Sequence, residues 1–220
     1  MNALSEREPV WATSGGASQW AFTGDLRSSA RFNQRCSACS RQDLRLTFEV
    51  RHETTQATCR ICQNCISRGS VAVEQAGRIL HGQELRDHIT EMAIRVMVRT
   101  CREVLRNLLA GKIDNDLLKV AVYFDRNAQL SPRHAATLFL ALSDARVGVD
   151  AKIFEVHIRS TDHREEFGRL NEREKVAVWQ VLSPTVRKRL IALKLAPERY
   201  FMQAKRTKQS RDQYSLAALP

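Results

Sequence analysis

The stretch Cys36–Cys65, CSACSRQDLRLTFEVRHETTQATCRICQNC, decides which kind of fold this chain adopts. It holds five of the six cysteines in a chain of 220 residues, as two C-x2-C pairs and one further cysteine. Each two-residue gap forms a turn whose backbone amides can bond the sulfurs, so two such knuckles bring four thiolates around one tetrahedral Zn²⁺. The stretch therefore predicts one structural zinc ion.

Two ligand sets satisfy this spacing. The preferred set is Cys36, Cys39, Cys59 and Cys62. Cys65 is the substitute, because the second knuckle reads C-x2-C-x2-C and its last pair has the same spacing as its first. Four thiolates fill the coordination shell and leave no position for water or substrate, so the predicted role of the ion is structural. Cys101 lies in a helical pattern and is interpreted as a buried apolar side chain.

Composition and charge limit the classes of protein to consider. The chain is 43% hydrophobic and carries a formal charge of +11, which predicts an acidic partner such as nucleic acid, anionic lipid or an acidic protein surface. There is no run of about 18 apolar residues that would predict a membrane span. The first residues lack the pattern of a signal peptide, so we expect a cytoplasmic protein, where cysteines stay reduced and bind metal more readily than they form disulfides.

The pattern around the cysteines predicts strands and then a long helix. Leu44–Val50 alternates apolar and polar residues, which indicates a half-buried strand. The segment 71–80, VAVEQAGRIL, predicts a short hairpin that turns near Gly77. From about Glu84 the apolar residues follow helical spacing, with Gly111 as the C-cap.

The second half of the chain is predicted to be mostly helical. Helix starts are expected at Asp114 or Asn115, at Ser131-Pro132, at about Asn171 and at Ser183-Pro184. One short strand is predicted in the segment 152–159, KIFEVHIR, from its alternating apolar residues.

The cysteine block is similar to a known zinc fold. A C-x2-C knuckle, a strand ending in FEVRH and a second knuckle resemble the zinc-supported ββα core of HNH nucleases. In that family the histidine at the strand end activates water, and a neighbouring acid and a later histidine bind the catalytic metal. His52 matches the water-activating histidine, but Arg51 stands where the acid would be, and no histidine follows until His81. The resemblance therefore implies an HNH-like fold without its chemistry, and an active nuclease is the least favoured alternative.

The segment after the second knuckle resembles the IcmJ/DotN family of type IVB secretion and conjugation systems. The resemblance rests on TCRICQNC at 58–65, the Ser-Val-Ala-Val strand, a glycine turn, and the helix QELRDHITEMAIRVMV at 83–98. Weaker similarity recurs at 135–149 and 181–190. It implies a non-enzymatic, zinc-stabilised adaptor that binds the cytosolic tail of the coupling ATPase, alongside other cytosolic subunits. Recruitment to the inner membrane would then come through that partner.

The predicted fold class is α+β, with a small zinc-bound ββα core followed by a mostly helical C-terminal part. We expect a loosely ordered arm over 1–30, an HNH-like zinc module with the long helix over 31–111, a helical part over 112–204 and a basic flexible tail over 205–220. The alternative function is a nucleic-acid-binding zinc protein, either a regulator or a DNA-processing accessory. It is supported by nine basic residues against one acid between Arg187 and Arg211. The arginines on the long helix are interpreted as a solvated face.

Overall fold

A computed structural model describes residues 19–68, 71–111 and 114–200 of the chain. The fold is mixed α+β, with a small antiparallel sheet and a mostly helical C-terminal part, as predicted. The described residues up to Val104, together with Gly148–Ile153, form one compact unit. Those of Leu105–Val147 and from Phe154 onward form a second. The tail predicted over 205–220 lies outside the described residues.

A three-stranded antiparallel sheet organises the first unit. Its strands are β1 (Trp20–Ser28), β2 (Leu46–His52) and β3 (Thr58–Ile61), in the order β1-β2-β3. The predicted alternation is confirmed on the central strand, where Phe48 and Val50 are fully buried. Successive side chains of a strand point to opposite faces, so this pattern gives the sheet one face toward the core.

Strand β1 corrects the prediction of a loosely ordered arm, because residues 20–28 pair with β2 along its length. The expectation failed because the strand is irregular. Phe22 pairs with Val50 and Leu26 with Phe48, so the three residues 23–25 of β1 stand opposite the single residue Glu49 of β2. Such a bulge hides the period of two from a sequence pattern. Residues 1–18 of the predicted arm lie outside the described part of the chain.

The predicted hairpin is confirmed in the segment 71–80. Strands β4 (Glu74–Gln75) and β5 (Arg78–Ile79) pair antiparallel. The two turn residues, Ala76 and Gly77, have φ of 51° and 79°, as in the two-residue turns whose twist suits a hairpin. A short helix, α1 (Gln63–Ile66), precedes the hairpin.

The long helix α2 follows as Gly82–Gly111, which starts two residues before the predicted point. Gly111 is its last residue; residues 112 and 113 lie outside the described part. No helix in the described ranges is long and apolar enough to cross a membrane.

Helices make up most of the second unit. They are α3 (Asn115–Asn127), α4 (Pro132–Asp144), α5 (Thr161–Arg169), α6 (Glu172–Trp179) and α7 (Pro184–Ala192). All four predicted helix starts are confirmed, and the capping side chains that accept backbone N–H bonds are Asp114, Ser131, Asn171 and Ser183. The apolar core of this unit includes Phe124, Phe139 and Phe154, whose rings meet edge-on or tilted.

The strand predicted over 152–159 is wrong. Ala151–Ile153 forms a 3-10 turn, and the rest of the segment makes a single bridge from Val156 to Leu130. The apolar residues do alternate in burial, since Phe154 and Ile158 are buried. An extended segment with one inward face satisfies that pattern without a neighbouring strand.

Candidate metal centre

Four thiols of the first unit come together in the structure. They are Cys36, Cys39, Cys62 and Cys65, and their sulfur atoms all lie within 4.8 Å of one another. The Sγ atoms of Cys36 and Cys65 are 3.8 Å apart, as are those of Cys39 and Cys62, and Cys62 lies 3.5 Å from Cys65. A tetrahedral ion with Zn–S bonds of about 2.3 Å places its sulfurs about 3.8 Å apart. The four cysteines therefore fit one tetrahedral metal ion.

This set differs at one position from the preferred prediction, and the substitute Cys65 replaces Cys59. Cys59 lies within β3, where it pairs with Val50 on the central strand. Its side chain therefore lies on the sheet face that carries Val50 and packs partly buried against the core of the first unit. Cys65 is placed differently, because β3 ends at Ile61 and the chain then turns into α1. The spacing fitted both pairs, and the end of the strand decides between them.

The first knuckle is a tight turn tied to the sheet. The backbone N–H of Cys36 donates to the carbonyl of Arg41, which closes the loop behind the cysteine pair. Ser40 has a φ of 57°, the left-handed conformation that lets the chain turn sharply after Cys39. Ser37 donates its N–H to the carbonyl of Arg60 on β3 at 2.8 Å, which fixes the first knuckle beside the second.

The second knuckle is the N-terminal end of α1. Cys62 is the N-cap, and the N–H of Cys65 donates to the carbonyl of Cys62 at 3.0 Å. This turn brings the two sulfurs to one side. Two backbone amides also donate to the sulfur of Cys36, from Cys62 at 3.2 Å and from Cys39 at 3.5 Å. Such N–H···S bonds stabilise the thiolate form that a metal requires.

The electrostatics of the four thiols are unequal. A hydrogen bond from the backbone of Arg41 lowers the pKa of the Cys39 thiol to about 7, against the opposing effect of burial, and bonds from the other three thiols add to it. Burial raises the pKa of Cys62 and of Cys65. A divalent cation favours the charged form of every thiolate that it binds, which offsets the cost of burying them. Burial likewise raises the pKa of Cys59 to about 11, with the nearby Cys36 adding to the effect.

The candidate centre is continuous with the hydrophobic core. Cys36 is fully buried and Cys62 is 4% exposed, whereas Cys39 is exposed. The adjoining residues Ile61 and Ile66 are fully buried. Four thiolates complete a tetrahedral shell, so an ion held here has no free position for a reactant. The arrangement suits a structural metal.

His52 contacts three neighbouring residues. Its Nε2 lies 2.9 Å from Oε1 of Gln19, its Nδ1 accepts from the backbone N–H of Thr55 at 3.2 Å, and its ring meets Trp20 edge-on. Within the described residues, the four-cysteine cluster is the one group of three or more histidine, cysteine or acidic side chains placed to hold an ion. His52 is therefore the last residue of β2 and bonds to neighbouring segments. Among the described residues it belongs to no cluster that could hold a metal ion.

The sixth cysteine, Cys101, is a buried side chain, as predicted. Cys101 is 2% exposed on α2. Its sulfur accepts a hydrogen bond from Arg45 at 3.4 Å and donates to the carbonyl of Ile153 at the same distance. Burial raises the pKa of this thiol, which makes it a poor nucleophile.

Comparison of the chain with known protein families, with curated proteins and with solved structures gave no match.

Proposed function

We propose that this protein is a zinc-stabilised adaptor subunit of a type IVB secretion or conjugation coupling complex, without enzymatic activity of its own. The observation that carries the proposal is the closed four-thiol cluster, which has the geometry of a scaffold and not of a reaction centre. The resemblance of residues 58–98 to the IcmJ/DotN family supplies the class of partner, the cytosolic tail of a coupling ATPase.

Zinc is the metal that this donor set favours. Tetrahedral four-sulfur sites select Zn²⁺ or iron, and zinc has no redox chemistry that would threaten a purely structural site. We expect elemental analysis of the purified protein to give one zinc per chain. Iron in its place would argue against a purely structural ion.

Two exposed apolar side chains of the first unit are candidate contacts for a partner segment. Ile79 on β5 is 52% exposed, and Ile94 on α2 is 50% exposed. Both lie outside the core, where an apolar partner side chain could cover them. The net charge of +11 favours a partner segment that is acidic around its apolar anchors.

Co-purification with the cytosolic C-terminal fragment of the coupling ATPase, at moderate salt, tests the adaptor role. The wild-type chain should retain the fragment, and the double variant Ile79→Glu and Ile94→Glu should lose it while keeping its zinc. Leu118→Glu is the matched control, because Leu118 is also 50% exposed but lies on α3 of the second unit. Failure of the wild-type chain to bind the fragment would remove the adaptor proposal.

The same net charge favours nucleic acid as the second candidate partner. Several arginines of α2 are engaged along the helix itself: Arg95 with Glu91 at 2.5 Å, Arg99 with Glu103 at 4.0 Å, and Arg86 with Gln83. Such pairs are typical of a solvated face. DNA affinity that falls steeply with salt, at a slope set by several phosphate contacts, would favour this candidate over the adaptor.

An active HNH nuclease is the least favoured hypothesis and has a simple test. Nicking of plasmid DNA that requires Mg²⁺ or Mn²⁺ and is lost in His52→Ala would revive it. We expect no such activity, because both ring nitrogens of His52 are held by neighbouring groups.

A further inference from the structure

The face of the sheet opposite the hydrophobic core carries a cavity of about 470 Å³. Thr47 lies beneath it, and the loop that connects β1 to the first knuckle forms one side through Asn33 and Arg35. Arg27 on β1 pairs with Thr47, and Arg60 on β3 pairs with its strand neighbour Glu49, so both arginines project from this face. The volume falls within the range of about 300–1,000 Å³ that is typical of small-molecule sites.

The lining of this cavity is cationic. Three arginines line it, and no acidic residue of the described chain does so. Neither Arg27 nor Arg35 has a side-chain hydrogen bond or ion pair with any described residue. Both are exposed, so their charges are available to a ligand.

Arg60 adds a donor that has no partner. Its Nη2 donates to Asp25 at 2.5 Å and to Glu49 at 3.0 Å, which holds the guanidinium in place. Its Nη1 is buried and has no hydrogen-bond partner among the described residues. A buried guanidinium nitrogen without an acceptor is costly, so such a group is normally satisfied by protein, water or a bound anion. The two carboxylates therefore fix the guanidinium of Arg60, a residue of the cavity lining, and leave its Nη1 without an acceptor among the described residues.

Asn33 supplies a further polar group to the wall. Its Oδ1 accepts a hydrogen bond from the hydroxyl of Ser29 at 2.7 Å, and its amide nitrogen has no acceptor among the described residues. Thr47 uses its hydroxyl on the side-chain carbonyl of Gln34, which fixes the wall of the cavity. The lining groups described above that have no partner among the described residues are hydrogen-bond donors and cations. The sheet and the loop that carry them are fixed by other hydrogen bonds.

We propose that this cavity binds a small molecule through a phosphate or diphosphate group, contacted by Arg27, Arg35 and Arg60. Guanidinium groups bind phosphate oxygens through paired charge-assisted hydrogen bonds, and several converging arginines match a group that carries more than one negative charge. None of the lining residues belongs to the thiol cluster, and the site does not depend on the adaptor role.

Isothermal titration of the full zinc-loaded chain with inorganic pyrophosphate tests the site. We expect saturable binding with one site per chain, weakened at least about tenfold in the double variant Arg27→Gln and Arg35→Gln, because each lost charge-assisted bond has a sizeable effect. Both side chains are exposed and pair with no side chain of the described residues, so the variant should have the same melting temperature as the wild type. The control is Arg86→Gln with Arg95→Gln, which removes the same charge from α2 and should change the affinity less than about twofold.

Three results would overturn the proposal. The first is an absence of saturable binding, in which case water alone satisfies Arg60. The second is equal affinity in the wild type and the lining variant. The third is an equal loss of affinity in the lining variant and the control, which would indicate a bulk charge effect. Parallel titrations with ADP and with glycerol 3-phosphate distinguish the source of the group. If ADP binds more tightly than glycerol 3-phosphate, and this binding depends on Arg27 and Arg35, the ligand is a nucleotide. If the two bind equally, the site recognises the phosphate group alone.

Discussion

The two compact units of this chain are stabilised in different ways. In the first, one face of a three-stranded sheet packs on a hydrophobic core. Two of the four clustered thiols, those of Cys36 and Cys62, are buried in this core. In the second, helices start at side-chain caps and pack around aromatic residues such as Phe124 and Phe154. Small sheets with few strands rarely hold together by apolar burial alone, whereas capped amphipathic helices combine local and tertiary stability.

The contrast separates two sources of folding free energy. An ion held by the four thiols would contribute to the first unit in one localised step, since removal of any ligand would weaken the whole site. Burial and capping contribute to the second unit in many small increments. Substitutions should therefore have very different effects in the two places, and their sizes can be ordered.

The largest effect is expected from loss of a metal ligand. Structural zinc supplies about 10–16 kcal/mol to small zinc domains at neutral pH, comparable to the whole stability of a typical domain. Cys65→Ser or a strong chelator should therefore abolish amide protection of β2, as measured by hydrogen exchange. The amides of α4 in the second unit should keep theirs, because their protection does not draw on the metal.

Cys59→Ser is the matched control for this substitution. Cys59 also belongs to the second knuckle, but it lies within β3 and outside the thiol cluster. This variant should retain one zinc per chain and most of the protection of β2. Zinc retention by Cys65→Ser together with zinc loss by Cys59→Ser would restore the ligand set first predicted from spacing.

The next largest effect is expected in the aromatic core of the second unit. Phe154 is 1% exposed, and its ring centroid lies 5.6 Å from that of Phe124 and 6.4 Å from that of Phe139. Phe154→Ala should cost about 3–5 kcal/mol by lost burial and a residual cavity. Urea denaturation monitored on the α4 amides measures this cost. Leu118→Ala, at a half-exposed position of α3, should cost far less, and equal costs would contradict the assigned core.

Features of the fold that depend on a few neighbouring residues could be predicted from the sequence. The pairs Ser131-Pro132 and Ser183-Pro184 begin helices because a hydroxyl can accept a backbone N–H and proline fits the first turn. Leu46 and Phe48 face the core because a strand alternates its side chains. These rules act locally, so they can be applied without knowing the tertiary fold.

Features that depend on pairing between distant segments of the chain could not be predicted from the sequence. The bulge of β1 is visible only against β2, and the choice of Cys65 over Cys59 depends on where β3 stops pairing.

Helix α5 was not predicted for a different reason. Its one buried residue is Phe167, so its sequence has no apolar stripe to indicate a helix.

A smaller effect is expected from the cap of α4. Ser131 is 3% exposed; its hydroxyl accepts the backbone N–H of His134 and donates to Glu166 at 2.9 Å. Ser131→Ala should cost about 1–2 kcal/mol, because it removes a cap and leaves half-buried partners unsatisfied. Ser183→Ala is the comparison, since Ser183 is exposed and caps α7 through one bond. Urea denaturation of both variants should rank Ser131 as the costlier, and the reverse order would show that the contact with Glu166 contributes nothing.

The smallest effect is a pH dependence confined to the second unit. Burial lowers the pKa of His134, which stacks on Tyr123 at 4.2 Å; Arg133 lowers it further and Glu166 opposes both. Because the pKa is lower in the folded state than the ordinary value of about 6.5, the unfolded chain binds the proton more tightly. The stability of this unit should therefore be complete above that value and decline as the pH falls toward the folded pKa. His134→Gln should remove the decline, so the difference in α4 protection between wild type and variant should change between about pH 7 and pH 5. A constant difference across this range would mean that His134 titrates alike in both states, and that its contacts serve packing alone.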